Sequence, residues 1–336
     1  MKTQVTLAEG GGGEATADLI KRVFWSRFCN SELLKGNDAS ILKVANQRIA
    51  VTTDSFVVTP WQFPGGDIGR LAICGTVNDL TMMGAESLGI TAGFIIEEGF
   101  AVRSLETIVQ SMADTALEAG VQIVAGDTKV VNKGAADGIF INTTGIGVVD
   151  SGIQLGGELA RDGDRVIITG TVGDHGAAVI LAREELGLRA RLCSDVAPLN
   201  HLLLPLVKRF PDKIRVLRDP TRGGLATTLN EIARQSSVLI RLEEKAIPVK
   251  SEVQGITALL GLESLYLANE GKAILICDQE ISEQLLDLLH KDPLAKEAAV
   301  IGRVSSENPG LVSISSEIGG ERILPMGSGE QLPRIC

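Results

Sequence analysis

Apolar stretches of two different periodicities alternate along this chain, and the alternation constrains its fold more than any other feature. Strand-like runs at residues 48–58 and 88–96 are each followed by a helical pattern, at 68–83 and 102–119. Strands that alternate with helices bury their apolar faces as layers of helices packed on sheets. The sequence therefore predicts an α/β fold with layered helices and sheets.

The alternation occurs twice, which predicts two domains, as does the length of 336 residues. The first half ends near Asp150, and a second series of strands and helices begins at Gly163-Asp164. Its predicted helices cover 175–186, 198–210, 222–235, 252–260 and 282–290, and its predicted strands cover 165–171, 214–217, 238–242 and 273–277, followed by short terminal strands. We expect domains over residues 1–155 and 156–325, followed by a mobile tail over 326–336.

The composition limits which binding partners and which cellular compartment we expect for this protein. Lys and Arg number 32 against 42 Asp and Glu, a net charge of −10, which argues against nucleic acid or an anionic membrane as a partner. No apolar run approaches the ~20 residues that cross a membrane, and the N-terminus lacks the apolar core of a signal peptide. The five cysteines are scattered without CxxC spacing, so neither a zinc site nor a disulfide framework is indicated. We expect a cytoplasmic protein.

Acidic and amide side chains recur at the predicted ends of strands and helices, many of them beside glycine. They occur in Thr53-Asp54-Ser55, Asn78-Asp79, Gly126-Asp127-Thr128-Lys129, Gly173-Asp174-His175-Gly176, Arg218-Asp219 and Ala268-Asn269-Glu270-Gly271-Lys272. Asp79 falls within a largely apolar helix, where a carboxylate is costly to bury unless it is paired or binds a metal. Carboxylates that converge from separate elements suit Mg²⁺, which bridges them to phosphates. Taken singly, each Asp is better explained as a turn residue or helix N-cap, and only the set indicates a site.

A run of four glycines, Gly10 to Gly13, precedes a predicted helix that starts at Glu14. Its backbone N–H groups could wrap a phosphate chain, although the run taken alone is better explained as a flexible N-terminal linker. It matches neither a Walker A loop nor a Rossmann fingerprint, because no GK[ST] follows and no strand precedes it. His175 begins another predicted helix, where it could meet a phosphate or cap the turn.

The sequence finishes with Leu332-Pro333-Arg334-Ile335-Cys336, beyond the last apolar run. A thiol at the end of a tail cannot contribute to a core and oxidises when exposed. It is useful on a carrier arm that is loaded at one place and processed at another, and a dozen extended residues would span roughly 40 Å. The alternative is a frayed end that happens to finish in cysteine.

Taken together, these motifs resemble the HypE family of hydrogenase maturation factors. The resemblance covers essentially the whole chain and includes Pro64-Gly65-Gly66, Thr221-Arg222-Gly223-Gly224 and the terminal Pro333-Arg334-Ile335-Cys336. It implies the two-domain fold of the aminoimidazole ribonucleotide synthetase-like ATP-binding enzymes. One position departs from the family pattern, because Glu9 stands before the glycine run where the family often has His.

The resemblance implies an activity in [NiFe] hydrogenase maturation. A carbamoyltransferase, HypF, would load a carbamoyl group on Cys336, and ATP with Mg²⁺ would drive its dehydration to an S-thiocyanate. The cyanide would pass to iron on a HypC–HypD complex, and the chain would form a homodimer through its first-domain sheets. By this resemblance Glu270 is the base and Lys129 its partner. The implied Mg²⁺ ligands are Asp54, Asp79, Asp127 and Asp219, and the implied nucleotide-binding residues are Gly11, Gly12, Asn78, Thr128, His175 and Asn269.

Two alternatives remain open on the sequence. Selenophosphate synthetase belongs to the same superfamily but usually carries a reactive Cys or selenocysteine and a Lys in its N-terminal glycine-rich loop, and residues 7–15 contain neither. A non-catalytic scaffold that docks maturation partners would not need the acidic constellation with Lys129 and Glu270.

Overall fold

The structure is a computed structural model that describes residues 4–28, 30–183, 190–316, 319–327 and 334–336. Its first half begins with α1 (Gly13–Leu19), which continues through a π-helical segment (Ile20–Trp25) into a last turn, α2 (Ser26–Phe28). The elements that follow are β1 (Ser40–Val44), β2 (Gln47–Phe56), β3 (Gln62–Phe63), β4 (Gly66–Asp67), α3 (Ile68–Met82), β5 (Ala85–Glu97), α4 (Val102–Ala119), β6 (Ile123–Val131) and β7 (Ile139–Val149).

A five-stranded sheet organises this half in the order β1-β2-β7-β5-β6. The β5–β6 pair is parallel and the other neighbours are antiparallel. Helix α3 packs on one face of the sheet, where Leu71, Ile73 and Val77 are fully buried. Strand β6 forms the edge of the sheet, and its residues from Ile123 to Val130 are all exposed.

Helix α3 begins at a side-chain cap and places polar groups in the interior. Asp67 accepts hydrogen bonds from the N–H groups of Gly69 and Arg70 at 2.7 and 3.0 Å, which satisfies two otherwise unpaired donors. Asp67 is therefore the N-cap of α3. Because α3 lies between the first sheet and the second half, Asn78 on its last turns donates to the second half, whereas Asp79 accepts from the Thr52 hydroxyl of β2 at 2.6 Å.

The second half is built on a seven-stranded sheet in the order β14-β13-β10-β12-β8-β11-β9. Its elements are β8 (Arg165–Ile168), α5 (Asp174–Ala182), α6 (Asn200–Arg209), β9 (Ile214–Arg218), α7 (Gly224–Ser236), β10 (Leu239–Glu243), α8 (Ser251–Leu260), β11 (Ile274–Cys277), α9 (Ser282–Leu289), β12 (Ala299–Ser305), β13 (Leu311–Ser315) and β14 (Glu321–Ile323). Apart from the parallel pair of β10 and β13, neighbouring strands are antiparallel.

One hydrophobic cluster joins the two halves. Leu80 and Val149 of the first half pack with Leu203, Leu217 and Leu275 of the second, and all five are buried. Burying these side chains together stabilises the relative placement of the halves, since each contributes roughly 1.5–3 kcal/mol of transfer free energy. The shared cluster packs elements of the second half against the end of α3.

The predicted fold class is confirmed. The predicted helices and strands match the observed ones closely, but β1, β12 and the two-residue strands β3 and β4 were not predicted. Strand β12 was not predicted because Gly302-Arg303 interrupts its apolar run. Strand β1 was not predicted because three of its five residues are exposed. Of the helix predicted over 175–186, the structure describes α5 to Ala182, and residues 184–189 lie outside the described ranges. No helix in the described part of the chain has the length and apolar character to cross a membrane.

Candidate active site

A cavity of about 770 Å³ lies between the N-terminal glycine run and the last residues of the chain. That volume is within the range of small-molecule sites. Its lining includes Gly10, Gly11, Gly12, Gly13, Ser55, Val57, Arg222, Tyr266, Ile335 and Cys336. The cavity therefore brings the predicted glycine loop and the terminal thiol together.

The glycine run needs glycine for its path. Gly12 and Gly13 have φ of 81° and 72°, in the left-handed region that other residues rarely adopt. A Cβ on Gly13 would lie 2.1 Å from the carbonyl oxygen of Gly327, and the N–H of Glu14 donates to that same oxygen at 3.0 Å. The run is thus an ordered turn packed against the second half.

Glu9, which departs from the family pattern, has a structural partner. One of its carboxylate oxygens accepts from the N–H of Thr6 at 2.8 Å and from the Thr6 hydroxyl at 2.6 Å. Together with the Thr6 side chain this forms a capping box, which fixes the short helix that leads into the glycine run.

Three of the four predicted magnesium ligands lie close enough for their charges to affect one another's pKa values. Asp54 comes from β2, Asp79 from α3 and Asp219 from the residue after β9. Burial, followed by the charges of Asp219 and Asp54, raises the pKa of Asp79 well above its usual value. Burial raises the pKa of Asp219 to about 8. Carboxylates crowded in this way favour protonation, or a bound cation in place of the protons.

Asp38 belongs to the same cluster and was missed from the sequence. Burial raises its pKa to about 6, and its charge contributes to the raised pKa values of Asp79 and Asp219. One oxygen lies 2.8 Å from Arg218 Nε, and the other has no hydrogen-bond partner among the described residues. The sequence could have indicated Asp38, because a glycine, Gly36, lies two residues before this carboxylate.

The segment with Asp127, Thr128 and Lys129 lies apart from this cluster within one chain. Registers across β2, β7, β5 and β6 place Gly126 level with Asp54 but three strand spacings away, roughly 14 Å. Asp127 and Lys129 form an ion pair of 2.7 Å, with 70% and 67% of their side-chain surface exposed. The expected convergence of Asp127 with the other carboxylates is wrong for a single chain, because β6 is the far edge of the sheet.

Glu270 is held by its main chain at the junction of the two halves. Its N–H donates to Asp195 Oδ1 at 3.1 Å, and its carbonyl oxygen accepts from Asn78 Nδ2 at 3.3 Å. The side chain is 3% exposed, and Oε1 has no hydrogen-bond partner among the described residues. Burial and the neighbouring charges of Asp219, Asp54 and Asp195 raise the pKa of Glu270 well above its usual value.

Asn78 and Asn269, predicted to bind nucleotide, are engaged with protein instead. Asn78 accepts from the N–H of Leu199 at 2.8 Å and donates to the carbonyl of Ala197 at 3.1 Å. Asn269 is fully buried, accepts from the N–H of Gly173 at 3.1 Å and donates to Asp195 Oδ2 at 3.0 Å. Both amides therefore support the loop of Glu270, and the sequence could not distinguish this from ligand binding.

Residues 334–336 lie antiparallel to residues 57–59. Val57 N–H donates to the main-chain oxygen of Cys336 at 3.0 Å, and Thr59 N–H donates to that of Arg334 at 3.3 Å. The Arg334 side chain donates to the carbonyl of Val57 at 2.8 Å and pairs with Asp137. Ile335 is buried in the core of the first domain.

His175 is buried against this segment and away from the open cavity. Its Nε2 lies 2.7 Å from the carbonyl oxygen of Ile335, and its Nδ1 lies 2.8 Å from the hydroxyl of Ser194. Both ring nitrogens are therefore engaged with protein groups. This geometry does not support the predicted contact of His175 with a phosphate.

Arg222 supplies positive charge to the site and had no predicted role. It lines the cavity, and its pKa is raised by the nearby Cys336 thiol and by Asp54 and Glu270, against the opposing effect of burial. Its motif, Thr221-Arg222-Gly223-Gly224, is one of those that resemble the HypE family, but the sequence indicates no role for the arginine. Asp195, which holds the Glu270 loop, has no neighbouring glycine and gave no signal at all.

Comparison with known proteins identifies the family. Models of the AIR synthase related protein N-terminal and C-terminal domains match residues 36–149 and 161–313. Carbamoyl dehydratase HypE of Azotobacter vinelandii is 48% identical over 332 residues, which is 99% of this chain and 97% of that protein. The chain belongs to the HypE family.

Solved HypE structures share the whole fold. HypE from a HypE–HypF complex matches with a TM-score of 0.87 at 48% identity, covering 92% of this chain and 99% of that one. HypE in complex with ATP matches with a TM-score of 0.83 at 47% identity, covering 98% and 100%. Membership of the HypE family confirms the resemblance seen in the sequence and decides against selenophosphate synthetase.

Proposed function

We propose that this chain is an ATP-dependent carbamoyl dehydratase that acts on its own Cys336 in [NiFe] hydrogenase maturation. The carboxamide on sulfur, R–S–C(=O)–NH₂, and ATP would give R–S–C≡N, ADP and phosphate. The carbamoyl oxygen leaves with the γ-phosphoryl group, and the sulfur–carbon bond is kept. The relatives named carbamoyl dehydratase HypE support this activity.

One observation carries the proposal: Cys336 is within electrostatic reach of Arg222, Glu270, Asp54 and Asp219. A group carried on this sulfur would therefore meet a carboxylate base, a cation and an acidic cluster together. A scaffold that only docks partners has no need to enclose its thiol with such groups.

The acidic cluster and the glycine run fit a magnesium–nucleotide complex. Crowded carboxylates with raised pKa values are neutralised by a hard divalent cation, which prefers oxygen ligands. No three His, Cys, Asp or Glu side chains within the described ranges are grouped closely enough to hold a metal alone. We therefore assign Asp54, Asp79 and Asp219, with Asp38, to a cation that shares its coordination with phosphate oxygens. The N–H groups of Gly11 and Gly12 would contact the same phosphates.

Glu270 and Arg222 would carry out the dehydration step. ATP supplies the phosphoryl group that turns the amide oxygen into a leaving group. Glu270 removes the amide protons, since burial raises its pKa well above its usual value and its Oε1 makes no hydrogen bond within the described structure. Arg222 offsets negative charge on the departing oxygen.

Loading of the thiol would take place away from this position. Burial raises the pKa of the Cys336 thiol, and only the thiolate is an effective nucleophile. The docked thiol is thus protected, and we propose that the tail leaves the cavity to be carbamoylated by HypF, a partner consistent with the solved HypE–HypF complex. A HypC–HypD iron carrier as the cyanide acceptor, and a cytoplasmic location, stay predictions from the resemblance and the composition.

We also propose a homodimer through the first-domain sheet. The edge strand β6 exposes Val124 and Val130, and the neighbouring face exposes Ile95 and Ile146. Uncovered edge strands with apolar side chains are aggregation sites unless another chain covers them. Covering β6 with a second copy would bring Lys129 to a site that one chain leaves without it.

The experiment is ATP turnover with and without a loaded tail. We expect hydrolysis when Cys336 has been carbamoylated by HypF and carbamoyl phosphate, with one ADP for each thiocyanate. Cys336→Ala should bind nucleotide yet show no coupled turnover, because a residue at the chain end adds little to the core. Nucleotide binding without any turnover on the loaded wild-type chain would favour the scaffold.

A further inference from the structure

Residues 334–336 lie in a groove that recognises their main chain, which we call the tail groove. All three main-chain oxygens of the segment have donors. Arg334 O accepts from Arg183 Nη2 at 3.0 Å and from Thr59 N–H, Ile335 O accepts from His175 at 2.7 Å, and Cys336 O accepts from Val57 N–H. The two side-chain donors come from α5 and the residue that caps it.

Hydrogen bonding defines the state of the His175 ring. The hydroxyl oxygen of Ser194 accepts from the N–H of Val196 at 3.1 Å, so its proton is free to point at His175 Nδ1, 2.8 Å away. Because the Ile335 carbonyl oxygen can only accept, Nε2 must carry the proton of the neutral ring, and Nδ1 accepts from the Ser194 hydroxyl. That proton points at the carbonyl oxygen of Ile335. The chain of donors from Val196 through Ser194 to His175 is complete only when residue 335 is in place.

Packing fixes the ring in this position. His175 is fully buried and meets the ring of Phe63 edge-on at 5.2 Å. The next residue, Gly176, donates its N–H to the carbonyl of Ala268 at 3.0 Å, two residues before Glu270. The element that contacts Ile335 is thus joined directly to the loop that carries the base.

We propose that His175 and Ser194 form a clamp that holds the tail by the Ile335 carbonyl and so presents Cys336 to Glu270. The docking part of this proposal stands on the contacts alone, and its role in dehydration rests on the proposed function. His175 acts here as a positioning residue: it contacts the tail backbone but none of the reacting atoms.

The docking is tested on the full chain without partner or nucleotide, by the rate at which iodoacetamide alkylates Cys336. Cleavage after Glu330 yields a peptide that reports this thiol separately. His175→Phe keeps the ring volume but removes the donor, and losing one hydrogen bond should speed alkylation roughly three- to tenfold. His175→Gln, whose amide retains a donor, should stay near wild type, and Ser194→Ala should shift the rate in the same direction as His175→Phe by a smaller factor.

Three controls accompany these variants. His201→Ala removes a histidine at a distant surface position and should leave the rate for Cys336 unchanged. The exposed Cys193 should react equally in wild type and His201→Ala, whereas the buried Cys74 and Cys277 should stay unmodified in every variant if the fold is intact. If Cys74 is alkylated in His175→Phe, the fold of that variant is not intact. The alkylation rates of Cys336 in Ser194→Ala and wild type then test the proposal.

A second measurement tests the role of the clamp in dehydration separately from its role in docking the tail. In His175→Phe, HypF should carbamoylate Cys336 at least as fast as in wild type, because the tail is released more often. Dehydration should slow by a similar three- to tenfold while nucleotide affinity is unchanged. A folding defect would slow both steps, and a phosphate contact by His175 would weaken nucleotide binding.

Equal alkylation rates in wild type, His175→Phe and Ser194→Ala would overturn the clamp. So would His175→Gln behaving like His175→Phe, since the donor would then be irrelevant. Failure of the dehydratase activity in wild type would leave the alkylation result standing and count only against the proposed function.

Discussion

The N–H of Glu270 donates to the carboxylate of Asp195 at 3.1 Å, so one acidic residue fixes the main chain of another. The second oxygen of Asp195 accepts from the amide of Asn269, and a Cβ on Gly271 would lie 1.8 Å from the Asp195 carbonyl oxygen. Three consecutive residues are therefore fitted to one loop. Glu270, the proposed base, is positioned by main-chain contacts, which leaves its side chain free to act.

Asp195→Asn should impair dehydration without affecting nucleotide binding. The new amide would turn a donor toward either the Glu270 N–H or the Asn269 amide, both of which need an acceptor. We expect dehydration about 10–100-fold slower, the usual cost of losing a group that orients a functional residue. The measurement is the rate at which carbamoylated Cys336 disappears on adding ATP. Normal dehydration in a well-folded Asp195→Asn would show that this loop needs no such support.

Lys129 should act in the site of a second copy. Lys129→Ala and Glu270→Gln should each be inactive alone, because each removes a group that every site requires. Mixing them in equal amounts should restore roughly a quarter of wild-type activity, since half the dimers are mixed and each has one intact site. Turnover measured after unfolding and refolding the mixture tests this. No recovery, with mixed dimers confirmed by mass, would mean that both residues serve the same chain's site or that Lys129 is dispensable.

Binding of Mg²⁺ and nucleotide should release protons. Asp219, with its pKa raised to about 8, holds a proton at neutral pH, and a bound cation lowers that pKa and expels the proton. Apparent affinity should therefore rise with pH up to about 8 and then level off, as measured by calorimetry in buffers of different ionisation enthalpy. Asp219→Asn should bind more weakly and lose part of this pH dependence. An affinity that falls between about pH 6 and 8 would contradict the assignment.

The sequence predicts features that depend on local patterns better than features that depend on contacts between residues distant in the chain. Periodicity located α3 and α4 because burial of a helix face is a local pattern. Positions at the ends of predicted strands indicated Asp54 and Asp219, and a carboxylate within an apolar helix indicated Asp79. The supporting roles of Asn78, Asn269 and His175 were out of reach, because their partners are as distant as residues 197 and 335. Asp127 and Lys129 do not meet the other site residues within one chain, because strand order places them on the far edge of the sheet.

The central claim is that the carbamoyl oxygen leaves as part of phosphate, and an oxygen label follows that atom directly. Cys336 is carbamoylated with carbamoyl phosphate that carries heavy oxygen on its carbonyl, and ATP is then added. We predict that the label appears in inorganic phosphate while the tail peptide loses the mass of one water. Glu270→Gln should keep the labelled carboxamide, with dehydration slowed by roughly 10²–10⁴-fold. Label released into water, with none in phosphate, would contradict the account.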